Sequence, residues 1–149
     1  MVHLDTIFWG PDWVPVPQSR ALPEIYAVIA GERWILDGDF LDADRERFDR
    51  ADTVYFLDLP RRTCLRRALW RLIRDRRRRR PDLPEGAHEV WDWQLLRWIW
   101  RYPTLDRPLI LGLLSKLPAG VEIHHIRTTR DLTKSLPAGT SQTMPPVAL

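Results

Sequence analysis

Arg33-Trp34-Ile35-Leu36-Asp37-Gly38 and, further along, Thr53-Val54-Tyr55-Phe56-Leu57-Asp58-Leu59-Pro60-Arg61 are the stretches that decide the fold. Each is a short apolar run rich in β-formers that ends in an acid, the pattern of a strand in a parallel sheet covered on both faces. A strand ending in Asp places a carboxylate at the carboxyl edge of the sheet, where open α/β folds bind ligands. Asp37 is therefore a candidate for a magnesium-water contact or for orienting an acceptor, and Gly38 would let backbone approach a ligand closely. The competing reading is local, since Asp beside Gly commonly caps a turn. For Asp58 the local reading is stronger: Pro60 suits the first turn of a helix and Asp58 stands where it would cap that turn.

Outward from these strands the pattern becomes helical. Leu22, Ile25, Tyr26 and Ile29 share one face of a helix expected from about Gln18 to Ala30, with Gly31 as its stop signal and Pro23 near its first turn. Before it, Phe8 to Pro17 carries three prolines and reads as an aromatic loop. Leu41 to Arg50 is charged, an exposed short helix or loop in which Arg47 reads as a surface residue. From Pro60, the residues Cys64, Leu65, Ala68, Leu69, Leu72 and Ile73 follow a helical period, while Arg67, Arg71, Arg74 and Arg78 gather on another stripe. Pro81, Pro84 and Gly86 predict a loop, and Glu89 to Arg107 a long helix with Leu95, Leu96, Ile99 and Trp100 inward. A second helical piece over Leu109 to Leu117 follows. Val121 to Ile126 is the last strand, with His124 and His125 pointing opposite ways. Thr128 or Thr129 can cap a terminal helix reaching Leu136. One domain over residues 1–136 and a disordered tail over 137–149, rich in Pro, Ser and Thr, follow from this pattern.

Composition narrows the function. The chain has 149 residues, 44% of them hydrophobic, enough for one core of ordinary size. No run approaches the roughly 18 apolar residues of a membrane span and no basic-then-apolar leader opens the sequence, so a cytoplasmic location and no membrane partner are expected. The single cysteine, Cys64, excludes an intramolecular disulfide and a multi-cysteine metal cluster, and its apolar neighbours suit a packed residue. Net charge is +3, yet Arg61 to Arg80 holds eleven arginines against one acid, Asp75, leaving the rest of the chain acidic. Such a block is an electrostatic footprint for phosphate on a nucleotide, a nucleic acid or a lipid head group, and arginine's planar fork suits bidentate phosphate contact.

The blocks His3-Leu4-Asp5, Trp9-x-Pro11-x-Trp13, Trp34-Ile35-Leu36-Asp37-Gly38, Arg50-Ala51-Asp52-Thr53, Leu57-Asp58-Leu59-Pro60-Arg61 with Cys64-Leu65, Arg80-Pro81-Asp82 and Trp98-Ile99-Trp100-Arg101-Tyr102 occur in that order. In this series the chain resembles the adenylate-kinase-related P-loop proteins labelled DNA topology modulation (FlaR-like) proteins, over nearly its whole length to about Leu136. The resemblance implies an α/β fold, a P-loop nucleoside-kinase-like parallel sheet with flanking helices. It also implies ATP-dependent phosphoryl transfer to a nucleotide or small-molecule acceptor, with magnesium and ATP as cofactors. Carried over by position, it places Asp5 and Asp37 at the sheet edge facing acceptor or magnesium, and Arg47 near the acceptor phosphate. Arg67 and Arg71 then lie on the lid helix that clamps the triphosphate, with Arg101 and Arg107 as further lid-side substrate contacts. Phosphoryl transfer needs mainly positioning and charge neutralisation, which suits arginines and a metal.

The departures from the family are specific. Family members carry a first strand, a glycine-rich lysine-containing loop and a helix before the His-Leu-Asp element, and no G-x-x-x-x-G-K-[ST] occurs in these residues. Asp39 stands where the family usually has asparagine. The expectation is an amino-terminally shortened form with no cofactor-binding residues of its own and no phosphoryl transfer as it stands. In that fold class the missing strand lies between those at Trp34 and Val54. Its loss would leave roughly five backbone groups unpaired at about 1–3 kcal/mol each. The flanking strands would then close on each other, take a strand from another chain, or fold poorly. A different class of function, nucleic-acid binding through the Arg61–Arg80 block and nearby tryptophans, predicts retention on DNA or RNA that falls steeply with salt.

Overall fold

Two strand pairs, both parallel, organise the chain in the computed structural model, which describes residues 1–39, 44–74 and 91–135. The basic run Arg76 to Arg80, the Pro81–Gly86 loop, the helix start at Glu89 and the tail from Leu136 lie outside the described residues. These fall into two units, residues 1–39 and 44–50 with 72–74 and 91, and residues 51–71 with 92–135.

In the first unit, strand β1 (Val2–His3) leads into the short helix α1 (Asp5–Phe8), a 3₁₀ turn at Pro11–Trp13 and helix α2 (Gln18–Ile29). Strand β2 (Leu36–Asp37) then pairs with β1 so that Val2 faces Leu36 and His3 faces Asp37, and helix α3 (Asp44–Arg50) closes the unit. The apolar period of α2 is met in part: Ile25 and Ile29 are buried as read from sequence, Leu22 is partly buried, Tyr26 is exposed and Ala21 is buried in its place, and Leu4, Ile7 and Phe8 join Ala21 and Ile25 in one cluster. Pro23 sits inside α2 without ending it. The proline-rich aromatic segment is closed by a Gly10 N–H to Val14 carbonyl bond of 2.8 Å, and Trp9 meets Trp13 edge to face.

The second unit carries strand β3 (Thr53–Leu57), helix α4 (Arg61–Arg74, its last turn grouped with the first unit), helix α5 (Trp93–Arg101), helix α6 (Asp106–Leu114), strand β4 (Glu122–Ile126) and helix α7 (Thr129–Ser135). Strands β3 and β4 run in register from Thr53 opposite Glu122 to Leu57 opposite Ile126. Val54 and Phe56 are buried on one face of β3, while Tyr55 on the other stacks on His124 at 4.6 Å. Thr128 and Asp131 cap α7 reciprocally: the Asp131 carboxylate accepts from the Thr128 and Arg127 backbone N–H groups and the Asp131 N–H donates to Thr128 Oγ1.

Four expectations are corrected. The strands at Trp34–Asp37 and Val54–Leu57 do not share a sheet: β2 pairs with β1, and β3 pairs with β4. The flanking strands therefore do not close on each other, and the first of them shortens to Leu36–Asp37. The long helix to Arg107 divides into α5 and α6, since Pro103 has no N–H to continue the ladder and Tyr102 to Leu105 make a turn. On α4 only Ala68 is buried, with Leu69, Trp70 and Ile73 exposed, and on α5 Trp100 is exposed. Amphipathic period predicts which side chains share a face, not that a partner covers it.

Helix α5 begins at Asp92, whose carboxylate accepts the Gln94 N–H at 2.7 Å. Replacing Asp92 with alanine leaves that donor to water and is expected to cost about 1 kcal/mol, read as a lower urea midpoint with an unchanged slope.

Candidate functional site

Parallel pairing in register brings the last residues of neighbouring strands side by side, so whatever follows the strands collects at one edge. In the first unit that edge holds His3 and Asp37. His3 Nδ1 donates to Asp37 Oδ2 at 3.0 Å, while Leu4 N–H donates to the Asp37 carbonyl at 2.7 Å and locks the register. The Asp37 side chain stays half exposed. Asp5 begins α1 just beyond β1 and is exposed. Arg47, expected at the surface, is buried instead: the turn at Gly38 draws its Nη1 to the Gly38 carbonyl at 3.0 Å. The structure thus brings Asp37 and Arg47 to the two sides of one glycine. Gly38 has φ of 135°, and a Cβ there would lie 2.7 Å from Leu4 Cβ, so only glycine fits.

At the carboxyl end of β3 the arrangement is denser. Asp58 follows the strand, its N–H donating to the Ile126 carbonyl at 2.8 Å, and its side chain is only 9% exposed. Arg107, at the start of α6, grips it with both prongs, Nε to Oδ1 at 2.7 Å and Nη2 to Oδ2 at 2.8 Å. His125, from β4, reaches Oδ2 through Nε2 at 2.6 Å. Arg127 stands farther off, its Nε 4.0 Å from Asp58 and 3.5 Å from His125 Nε2, too long for a hydrogen bond of consequence. Burial pushes the Asp58 carboxyl up, but the hydrogen bonds and charges of Arg107 and His125 outweigh it and hold the group below the usual carboxylate range. The Asp58 bond in turn raises Arg107.

The expected cap is therefore not what Asp58 does. Helix α4 starts three residues on, and the carboxylate spends its acceptors on two side chains from distant sequence, Arg107 and His125. His125 also was read only as an alternating strand residue. The available sign was that Leu57-Asp58 repeats the apolar-run-then-acid pattern of Leu36-Asp37, whereas the separation of Asp58 from Arg107 and His125 left no local signal.

The remaining expected residues lie apart from this ion pair. Arg67 is half-buried and its Nη2 donates to Thr129 Oγ1 at 3.1 Å, tying α4 to the start of α7; Arg71 is half-buried one turn on. Arg101 is exposed at the end of α5, its carbonyl accepting the Thr104 hydroxyl at 2.8 Å. Cys64, expected in the core, is half-buried with its Sγ donating to the Leu59 carbonyl at 3.7 Å, and burial pushes its thiol up, away from nucleophilic use.

A cleft of about 500 Å³ lies at Asp58, lined also by Leu59, Pro60, Arg61, Arg62, Tyr102, Pro103, Thr104, Arg107 and Arg127. Arg61 lies over the Trp100 ring at 4.4 Å.

Among the described residues no three His, Cys, Asp or Glu side chains converge as a metal site. Asp37, a half-exposed carboxylate with one oxygen taken by His3, fits an outer contact to a magnesium-bound water and does not fit direct cation binding by the protein. No helix among the described residues is long and apolar enough to cross a membrane. Comparison of the chain with family models, with curated proteins and with solved structures finds no match in any of the three.

Proposed function

We propose that these residues supply the acceptor side and the arginine flap of a P-loop nucleotide-kinase-type phosphotransferase. One observation carries the reading: in both parallel pairs an Asp stands at the carboxyl end of a strand with a basic side chain from elsewhere beside it, His3 at Asp37 and Arg107 with His125 at Asp58. That edge is where α/β folds hold phosphorylated ligands.

In this reading Asp37 orients the acceptor or a metal-bound water, held by His3 so that one oxygen faces outward. Arg47 braces the Gly38 turn that carries it. Arg67 and Arg71 on α4, with Arg101 and Arg107, set cationic charge against the anionic groups of a nucleotide. Magnesium, when bound with a triphosphate, would neutralise phosphate charge at Asp37's edge. The phosphate cradle itself has no counterpart in these 149 residues.

The test is direct. The 149-residue chain is expected to show no submicromolar ATP binding by calorimetry, and a form extended by in-frame upstream codons for a strand, a glycine-rich Lys-Ser/Thr loop and a helix is expected to transfer phosphate from ATP to a nucleoside monophosphate. In that form Asp37→Asn should lower kcat about 100-fold or more. Submicromolar ATP affinity of the short chain, upstream DNA lacking such codons, or an indifferent Asp37→Asn would each overturn the reading.

A further inference from the structure

We infer that the cleft at the carboxyl end of β3 binds a phosphate or diphosphate group, free or carried on a small molecule. The inference shares Arg107 and the strand edge at Asp58 with the phosphotransferase reading and deepens it there, but it requires no strand or loop from outside, so its failure and the failure of that reading are distinguishable.

Charge is the first argument. Among the described residues, four arginines, Arg61, Arg62, Arg107 and Arg127, line the cleft against a single carboxylate, Asp58. Asp58 is already matched by Arg107 with two hydrogen bonds, so Arg61, Arg62 and Arg127 remain as surplus positive charge around one concavity. A monocarboxylate would balance one of them. A phosphate dianion or a diphosphate balances two or three, and its tetrahedral oxygens accept from several guanidinium forks at once.

Geometry is the second. The Arg61 guanidinium carbon lies 4.4 Å from the centre of the Trp100 ring, a cation–π contact that helps hold this arginine in the lining of the cleft. The grip of Arg107 and His125 immobilises Asp58 and with it the floor of the cleft. Thr104, whose hydroxyl donates to the Arg101 carbonyl at 2.8 Å, belongs to the same lining. Leu59, Pro60, Tyr102 and Pro103 provide an apolar wall, and a volume of about 500 Å³ exceeds what a lone inorganic ion fills, leaving room for an organic substituent.

Calorimetric titration of the 149-residue chain with sodium pyrophosphate tests this, with tryptophan emission as a second readout through Trp100. Saturable one-site binding is expected, weakened about tenfold or more by Arg62→Gln and by Arg127→Gln, both exposed and outside the Asp58 hydrogen bonds. Arg20→Gln, an equal charge change at an exposed position of the other unit, should leave affinity unchanged. A parallel titration with ADP separates the sources: equal affinity assigns recognition to the phosphates alone, and tighter ADP binding assigns part of it to the apolar wall. Absence of saturable pyrophosphate binding, or equal weakening by Arg20→Gln, would overturn the inference. Circular dichroism of each variant confirms that it is folded.

Discussion

Gly38→Ala is expected to destabilise the first unit by about 3–5 kcal/mol, combining an unfavourable backbone conformation with overpacking. With φ of 135° the residue sits where an L side chain is strained, and its new Cβ would meet Leu4 Cβ at 2.7 Å. Leu4 is fully buried in the cluster with Ile7, Phe8, Ala21 and Ile25, and a Cβ cannot swing aside by changing rotamer. The backbone would have to move, and that backbone carries the Asp37 carbonyl bonded to Leu4 N–H and the Gly38 carbonyl bonded to Arg47. Loss of the short β1–β2 pair is thus coupled to release of a buried arginine. Urea unfolding followed by tryptophan fluorescence measures the effect. A midpoint within about 0.5 kcal/mol of the parent would show that the close approach of Gly38 to Leu4 is not a feature of the folded chain.

Asp58→Ala is expected to cost about 2–3 kcal/mol in the second unit. Removing one partner of a nearly buried, charge-assisted pair costs up to 3–5 kcal/mol. Here the lower value applies because Arg107 and His125 are each about one-third exposed and regain water. For a unit of this size that corresponds to a fall in Tm of roughly 10 °C or more. The acid dependence has a definite sign. The folded Asp58 carboxyl is held below its unfolded value of about 3.9, so its contribution is complete above that value and is lost as pH falls through the lower folded pKa. The wild-type chain should therefore lose stability between about pH 4 and the acid limit more steeply than Asp58→Asn, which has no proton to take up. Identical acid limbs for the two proteins would exclude the Arg107–Asp58–His125 network as a source of stability.

How much of this was legible in sequence depended on how far apart the cooperating residues stand. Helix α2 and its buried Ile25 and Ile29 followed from a period repeated within one turn, and α7 from capping chemistry between Thr128 and Asp131. Strands β3 and β4 followed from composition alone, because β-branched and aromatic runs have few other uses. The same local logic misread Asp58 as a cap and Arg47 as a surface residue. In each the winning partner lies beyond the local window: Arg107 and His125 for the first, the Gly38 carbonyl for the second. Leu69 and Ile73 of α4 and Trp100 of α5 mark the opposite failure, where a helical period was present and burial did not follow.

The amino-acid order by itself therefore determined where α2, β3, β4 and α7 form, that both acids follow apolar strands, and that arginine dominates one stretch of the chain. Those are properties of neighbouring residues, governed by backbone sterics, side-chain period and caps. Tertiary structure alone decided which strand pairs with which, that Asp58 becomes the anchor for Arg107 and His125, and that surplus arginines line one cleft. Such outcomes depend on hydrogen-bond and charge partners brought together by folding, whose desolvation energies outweigh the local preference of any single residue.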